Sequence, residues 1–103
     1  MQSCKISNYD DAARFLFVLA NSKRLTMLRL LLSTEIQVGE LANMTDLSPS
    51  ATSQHLALMR TSGLVKTRRE AQTVYYSCDS VAIERFLEML HKLPLSVEPD
   101  PEC

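Results

Sequence analysis

The stretch between residues 38 and 77 constrains this chain more than any other. From about Val38 to Met44, apolar Val38, Leu41 and Ala42 recur at helical spacing and predict a short helix. Thr45-Asp46-Leu47 follows as a turn. Ser48-Pro49 then opens a longer helix, with serine placed to cap it and proline in the first turn, where its missing N–H costs nothing. That helix continues to about Thr61 with Leu56 and Met59 facing inward, and Gly63 stands where a glycine terminates a helix. Two extended runs come next, Leu64 to Arg68 and Thr73 to Ser77, rich in β-branched and aromatic residues. The segment between them, Arg69-Glu70-Ala71-Gln72, is short enough for a hairpin loop. A short helix, a tight turn, a longer helix and a hairpin in immediate succession is the layout of a winged helix-turn-helix, whose second helix enters the major groove of duplex DNA.

The flanking segments are helical. Asn8, with Asp10 and Asp11 behind it, is a capping start for a helix reaching about Ala20, whose Ala12, Phe15, Leu16 and Leu19 form a buried face. Asn21 or Ser22 caps a second helix with a Leu25, Leu28, Leu31 and Leu32 stripe, ending near Ser33-Thr34. The last helix opens at Asp79 or Ser80, buries Ile83, Phe86, Leu87 and Leu90, and stops before Pro94. The expected order is therefore α-α-α-α-β-β-α: a mainly α fold with a two-stranded antiparallel wing. Residues 1–93 make one domain of DNA-binding and dimerisation type, and the proline-rich residues 94–103 make a flexible tail. The apolar stripes of the first and last helices exceed what one small core needs, which predicts a homodimer with Phe15, Phe86 and Leu90 as interface candidates.

Net charge is −1, which by itself disfavours a polyanionic partner. The distribution reverses that inference. Residues 47–78 carry Arg60, Lys66, Arg68 and Arg69 against Glu70 alone, whereas residues 79–103 carry two basic and six acidic side chains. A basic central stripe beside an acidic end suits a DNA reader with a separate second surface. No apolar run reaches the roughly 18–20 residues that span a bilayer, and the first residues lack the order of a signal peptide, so the expectation is a cytoplasmic protein without a membrane partner. Cys4, Cys78 and Cys103 are widely spaced and form neither a disulfide framework nor a Cys-x-x-Cys pair.

On the solvent side of the fourth helix, Ser50, Ala51, Ser53, Gln54 and His55 are short, amide-bearing or imidazole side chains where an ordinary surface would carry Glu and Lys. Serines permit close approach, and a glutamine amide can pair with adenine N6 and N7. The segments LANSKRLTMLRLLL, VGELANMTDLSPSATSQHLALMRTSGLV and KTRREAQTVYYS resemble, in order, the ArsR/SmtB bacterial repressors, and among them the HlyU, NolR and BigR branch; the resemblance covers about residues 10–93. It implies a homodimer paired through the first and last helices that binds double-stranded promoter DNA at an inverted repeat. It assigns DNA contact to Ser50, Ser53, Gln54 and His55 in the helix and to Arg68, Arg69, Gln72 and Thr73 in the wing. The chain departs from the family at Pro49, where many members have glutamine. It departs again at the wing tip, where many have glycine and this loop has Glu70-Ala71; because glycine supplies positive φ without steric cost, the turn is expected to use another geometry.

The family's sensor positions are altered as well. The third-helix segment ELANM has no cysteine, and the last helix offers Asp79, Glu84, Glu88 and one histidine, His91, so neither a metal site nor a cofactor is expected. The paired thiol positions fall on Arg29 and close to Leu95. Cys78, at the end of the wing strand, reads as a small buried hydrophobe; Cys4 and Cys103 lie in the two ends. Two other function classes compete with a repressor. A winged helix serving only protein interaction would keep the core without the basic wing, and a thiol enzyme using Cys78 with His55 or His91 lacks any catalytic signature. A non-enzymatic DNA-binding regulator is the better reading.

Overall fold

The computed structural model of the chain describes residues 8–94. Within them the helices are α1 (Tyr9–Leu19), α2 (Ser22–Ser33), α3 (Val38–Thr45), α4 (Pro49–Thr61) and α5 (Val81–Lys92), and the strands are β1 (Ile36–Gln37), β2 (Lys66–Glu70) and β3 (Thr73–Ser77). Local chemistry sets the helix starts. Asn8 Oδ1 accepts the Asp11 N–H, Asn21 Oδ1 accepts the N–H groups of Lys23 and Arg24, Ser48 Oγ accepts that of Ala51, and Ser80 Oγ accepts that of Ile83. Pro49 occupies the first turn of α4, and Gly63 beyond its end has φ +76°.

α2 is the central helix. Its Met27, Leu28 and Leu31 are fully enclosed with Leu41 of α3, Leu56 and Met59 of α4 and Ile83 of α5. On α1 only Val18 and Leu19 of the last turn are buried in this core, with Phe15 packed partly against it. α3, the left-handed Asp46 and α4 form the helix-turn-helix; aspartate tolerates that φ of 57° better than most residues, and the Leu47 N–H closes the turn on Ala42 O at 3.0 Å. The β2–β3 hairpin follows directly as the wing.

Four expectations need correction. The sheet has three strands in the order β1-β3-β2, because Ile36 and Gln37 pair antiparallel with Tyr76 and Tyr75. The first wing strand begins at Lys66 instead of Leu64 and runs to Glu70: Leu64 and Val65 are drawn into the core, while Arg69 and Glu70, poor strand formers alone, are held by pairing with Val74 and Thr73. The loop is therefore just Ala71-Gln72, and the turn keeps a positive φ that glycine would favour, with Ala71 at φ 57° and Gln72 outside the positive region. On α1, Leu16 is half-exposed instead of buried. The expected tail, apart from Pro94, lies outside the described residues, as do Cys4 and Cys103.

An alanine in the left-handed region is strained by about 1–2 kcal/mol relative to glycine, partly offset by glycine's larger unfolded-state entropy. Ala71→Gly should stabilise the fold by roughly 0.5–1 kcal/mol, and thermal unfolding should shift upward by a few degrees. An unchanged or lowered midpoint would contradict the geometry of this turn.

Candidate nucleic-acid interface

The two halves of the candidate interface are built differently. Along α4, Ser50, Ser53, Gln54 and Ala57 are exposed at i, i+3, i+4 and i+7 and form one stripe, continued by exposed Arg60 and Thr61. Behind it Thr52, Leu56 and Met59 are buried, and the Thr52 hydroxyl donates to Ser48 O at 2.9 Å, so the stripe is fixed in rotation by the core. His55 lies one residue off the stripe and is half-buried. Its Nδ1 accepts a hydrogen bond from Arg24 Nη1 at 3.2 Å, and burial, with a further push from Arg24's charge, holds the imidazole below its ordinary pKa.

In the wing, residues alternate between faces. Arg68 pairs with Tyr75 and Arg69 with Val74, so the two arginines point to opposite sides of the hairpin. Arg68 is bound within the protomer. Its Nε and Nη2 donate to the two carboxylate oxygens of Glu35 at 2.9 Å each, its Nη1 donates to Glu70 at 3.1 Å, and its guanidinium lies 5.0 Å from the Tyr75 ring centroid. Arg69 has no such partner among the described residues and is exposed, as is Gln72 at the tip; Thr73 is half-buried, paired with Glu70. The sequence-predicted residues thus divide into the α4 stripe, the wing tip with Arg69, and two side chains, His55 and Arg68, already engaged by the protein.

The interface candidates Phe15 and Phe86 meet edge to face inside the protomer, with ring centroids 6.0 Å apart, and Leu90 packs partly against the core. The apolar side chains left exposed near them in sequence are Tyr9, Leu16 and Phe17 on α1, Val81 and Met89 on α5, and Leu93 at its C-cap. Cys78 is buried, which pushes its thiol up, and its N–H donates to Leu31 O at 3.0 Å. Among the described residues no three His, Cys, Asp or Glu side chains cluster so as to hold a metal ion, and no helix is long and apolar enough to cross a membrane.

The sequence model of the bacterial regulatory protein arsR family matches residues 21–67, from the cap of α2 into β2. The transcriptional activator HlyU of Vibrio cholerae is 48% identical over 86 residues, which cover 84% of this chain and 80% of HlyU. The chain belongs to the ArsR family. The crystal structure of NolR from Sinorhizobium fredii has a TM-score of 0.80 at 44% identity, covering 89% of this chain and 95% of that one. A solution structure of Mb0332 from Mycobacterium bovis, described as a homodimeric winged helix-turn-helix DNA-binding domain, has a TM-score of 0.73 at 28% identity and covers 89% of this chain and 88% of that one. This ArsR-family chain is accordingly a transcriptional regulator on a DNA-binding winged-helix framework, and not an enzyme.

Sequence reasoning passed over three residues that organise this ArsR-family site. Arg24 and Lys23 look like ordinary first-turn cations of α2, yet Arg24 is 9% exposed and Lys23 Nζ donates to Thr45 O at 2.6 Å, at the end of α3. Glu35 lies 33 residues from Arg68, and no local pattern announces their pairing. The Arg68 hydrogen bonds hold the Glu35 carboxyl below its usual value of 4.5, and a carboxyl depressed on folding stabilises above its unfolded pKa, with that contribution lost as pH falls through the folded value. Carboxyl-detected NMR titration should find Glu35 titrating below 4.5, and Arg68→Ala should return it toward that value. A Glu35 that titrates identically in both proteins would show that the pair does not form in solution.

Proposed function

We propose that the protein is a repressor that binds an inverted-repeat operator as a homodimer, inserting α4 into the major groove and the wing into the neighbouring minor groove. The observation that carries this reading is the exposed stripe Ser50, Ser53, Gln54 and Ala57, which is uncharged and slender, on the helix that follows the turn. Short side chains let a helix sit deep in the groove, Gln54 offers a donor and an acceptor to base edges, and Arg60 and Arg69 flank the stripe as phosphate partners. His55, Arg68, Gln72 and Thr73 complete the contact set, Arg68 with its charge already opposed by two carboxylates. A dimer bound across a promoter excludes polymerase from it, and the molecule works in the cytoplasm where that DNA is. HlyU, named an activator, leaves the opposite sign of regulation as an outcome of the test below.

The homodimer is supported by the apolar surface that α1 and α5 leave uncovered and by the homodimeric Mb0332 domain. Phe86 and Leu90 of α5 pack partly against the protomer's own core, while Met89 beside them and Leu93 at the helix end are left exposed, extending that apolar face outward. Two-fold pairing would set the two α4 helices for half-sites about one helical turn, roughly 34 Å, apart. Because Leu16 and Met89 are 50% and 48% exposed, Leu16→Glu and Met89→Glu should leave the protomer folded and convert a sedimenting dimer to monomer. A wild-type chain that sediments as a monomer at micromolar concentration would overturn the dimer. The reading includes no response to metal ions, because the third-helix segment ELANM has no cysteine and the last helix offers a single histidine, His91.

Fluorescence anisotropy with an operator and a random duplex, at two salt concentrations, tests the whole reading. Gln54→Ala should lose about 1–3 kcal/mol on the operator and little on random DNA. Arg69→Ala should weaken both duplexes and reduce the salt slope by about one, whereas Arg68→Ala should change the slope less because its charge is neutralised within the protomer. Reporter output that rises when the gene is deleted supports repression, and output that falls supports activation. Absence of salt-dependent duplex binding would favour a protein-interaction module instead.

A further inference from the structure

Arg24 is a buried cation with no carboxylate partner among the described residues. Its Nε donates to Val18 O at 2.5 Å and its Nη2 to Phe17 O at 3.2 Å, two carbonyls at the C-terminal end of α1, where the helix dipole is negative. Its third direction, Nη1, meets His55 Nδ1 at 3.2 Å on α4. A guanidinium has donors only and stays protonated, so Nδ1 must accept. The proton of the neutral ring therefore sits on Nε2. Among the described residues no buried side-chain polar atom lacks a partner, and His55 Nε2 makes no hydrogen bond, so that nitrogen reaches solvent.

We propose that Arg24 is a positioning residue of the DNA-reading surface: it holds His55 as a neutral ring whose Nε2–H is aimed at a phosphate oxygen on the wall of the groove. The inference rests on the reading of α4 as the DNA-facing helix. Phosphate, not a base edge, is the acceptor because His55 sits about 100° round the helix from Gln54 and is half-buried, so it lines the flank of the exposed stripe. A histidine free to titrate beside a phosphate would take up a proton and bind more tightly as pH falls. Here the second proton would have to enter at Nδ1, against Arg24. Arg24 of α2 is the charged group acting on the ring, and what α1 contributes alongside it, the Phe17 and Val18 carbonyls, does not titrate. DNA binding should therefore be insensitive to pH through the range in which an ordinary histidine charges.

The test uses the full chain and two readouts. In a long-range proton–nitrogen spectrum of the free protein at pH 7, His55 should show protonated Nε2 and bare Nδ1, and it should stay neutral at pH 6.5, its ordinary midpoint. Operator affinity of the wild type between pH 8 and pH 6 should track that of His55→Gln. In Arg24→Met the ring is released, and affinity should gain about threefold more over the same span, the effect of one group charging near its ordinary pKa. His55→Phe, which keeps the packing and loses the N–H, should weaken operator and random duplex alike by several-fold. A ring protonated on Nδ1 at pH 7, or His55→Phe binding as the wild type does, would overturn the proposal; should Arg24→Met fail to fold, the wild-type spectrum still decides it. A chain that binds no duplex, with the tautomer as described, would instead refute the reading of α4.

Discussion

Two consecutive side chains at the start of α2 close the ends of two other helices, and the placement of the proposed DNA-facing surface hangs on them. Lys23 caps the carbonyl of Thr45 at the end of α3, and Arg24 caps Phe17 and Val18 at the end of α1 while reaching His55 on α4. A buried cation is costly unless its donors are met, and charged hydrogen bonds contribute about 1.5–3 kcal/mol each when they are. Arg24 has three, so the same group that would be a liability in an apolar core becomes a joint. Through it the α1 surface, part of the proposed dimer face, is mechanically continuous with the helix that carries Gln54.

The wing depends on a second cross-link of different character. β1 is only two residues long, but it places Glu35 beside β3 and within reach of Arg68. An exposed ion pair contributes little to stability by itself. Its bidentate geometry and the stacking on Tyr75 matter more for direction: they fix one face of the hairpin against the body and leave Arg69 and the Ala71-Gln72 tip on the other side free for a ligand. The basic stripe visible in the sequence is thus less basic toward a ligand than its count suggests, since Arg68 is shared with two carboxylates and Lys66 pairs with Asp79 at 2.6 Å.

What was legible in the sequence is what local chemistry decides. Asn8, Asn21, Ser48-Pro49, Ser80 and Gly63 mark helix ends by side-chain and backbone rules that act within a few residues, and the helix boundaries they predict agree with the structure to within a residue or two. Of the side chains assigned to the solvent side of α4, Ser50, Ser53 and Gln54 are exposed, whereas Ala51 and His55 are half-buried and Ala57 completes the stripe in their place. What escaped is non-local or runs against propensity. β1 exists only because β3 supplies a partner, Glu35 finds Arg68 across 33 residues, and Ala71 adopts a φ that its own side chain disfavours because the flanking strands demand a tight turn. Arg24 escaped because a cation in a first helical turn is ordinarily solvated, and nothing nearby in the sequence announces the α1 carbonyls that enclose it. Phe15 and Phe86 show the limit of periodicity: their spacing marks them as buried, but not that they bury each other.

The central claim is that the α4 stripe and the wing tip form one DNA-reading surface while the α1 and α5 faces serve a different purpose. Chemical-shift mapping of the labelled protein during titration with its operator duplex tests this most directly. The account predicts the largest changes at Ser50, Ser53, Gln54, Arg69 and Gln72, a smaller change at His55, and none at Leu16 or Met89. Changes concentrated on α1 and α5, with the α4 stripe silent, would contradict it.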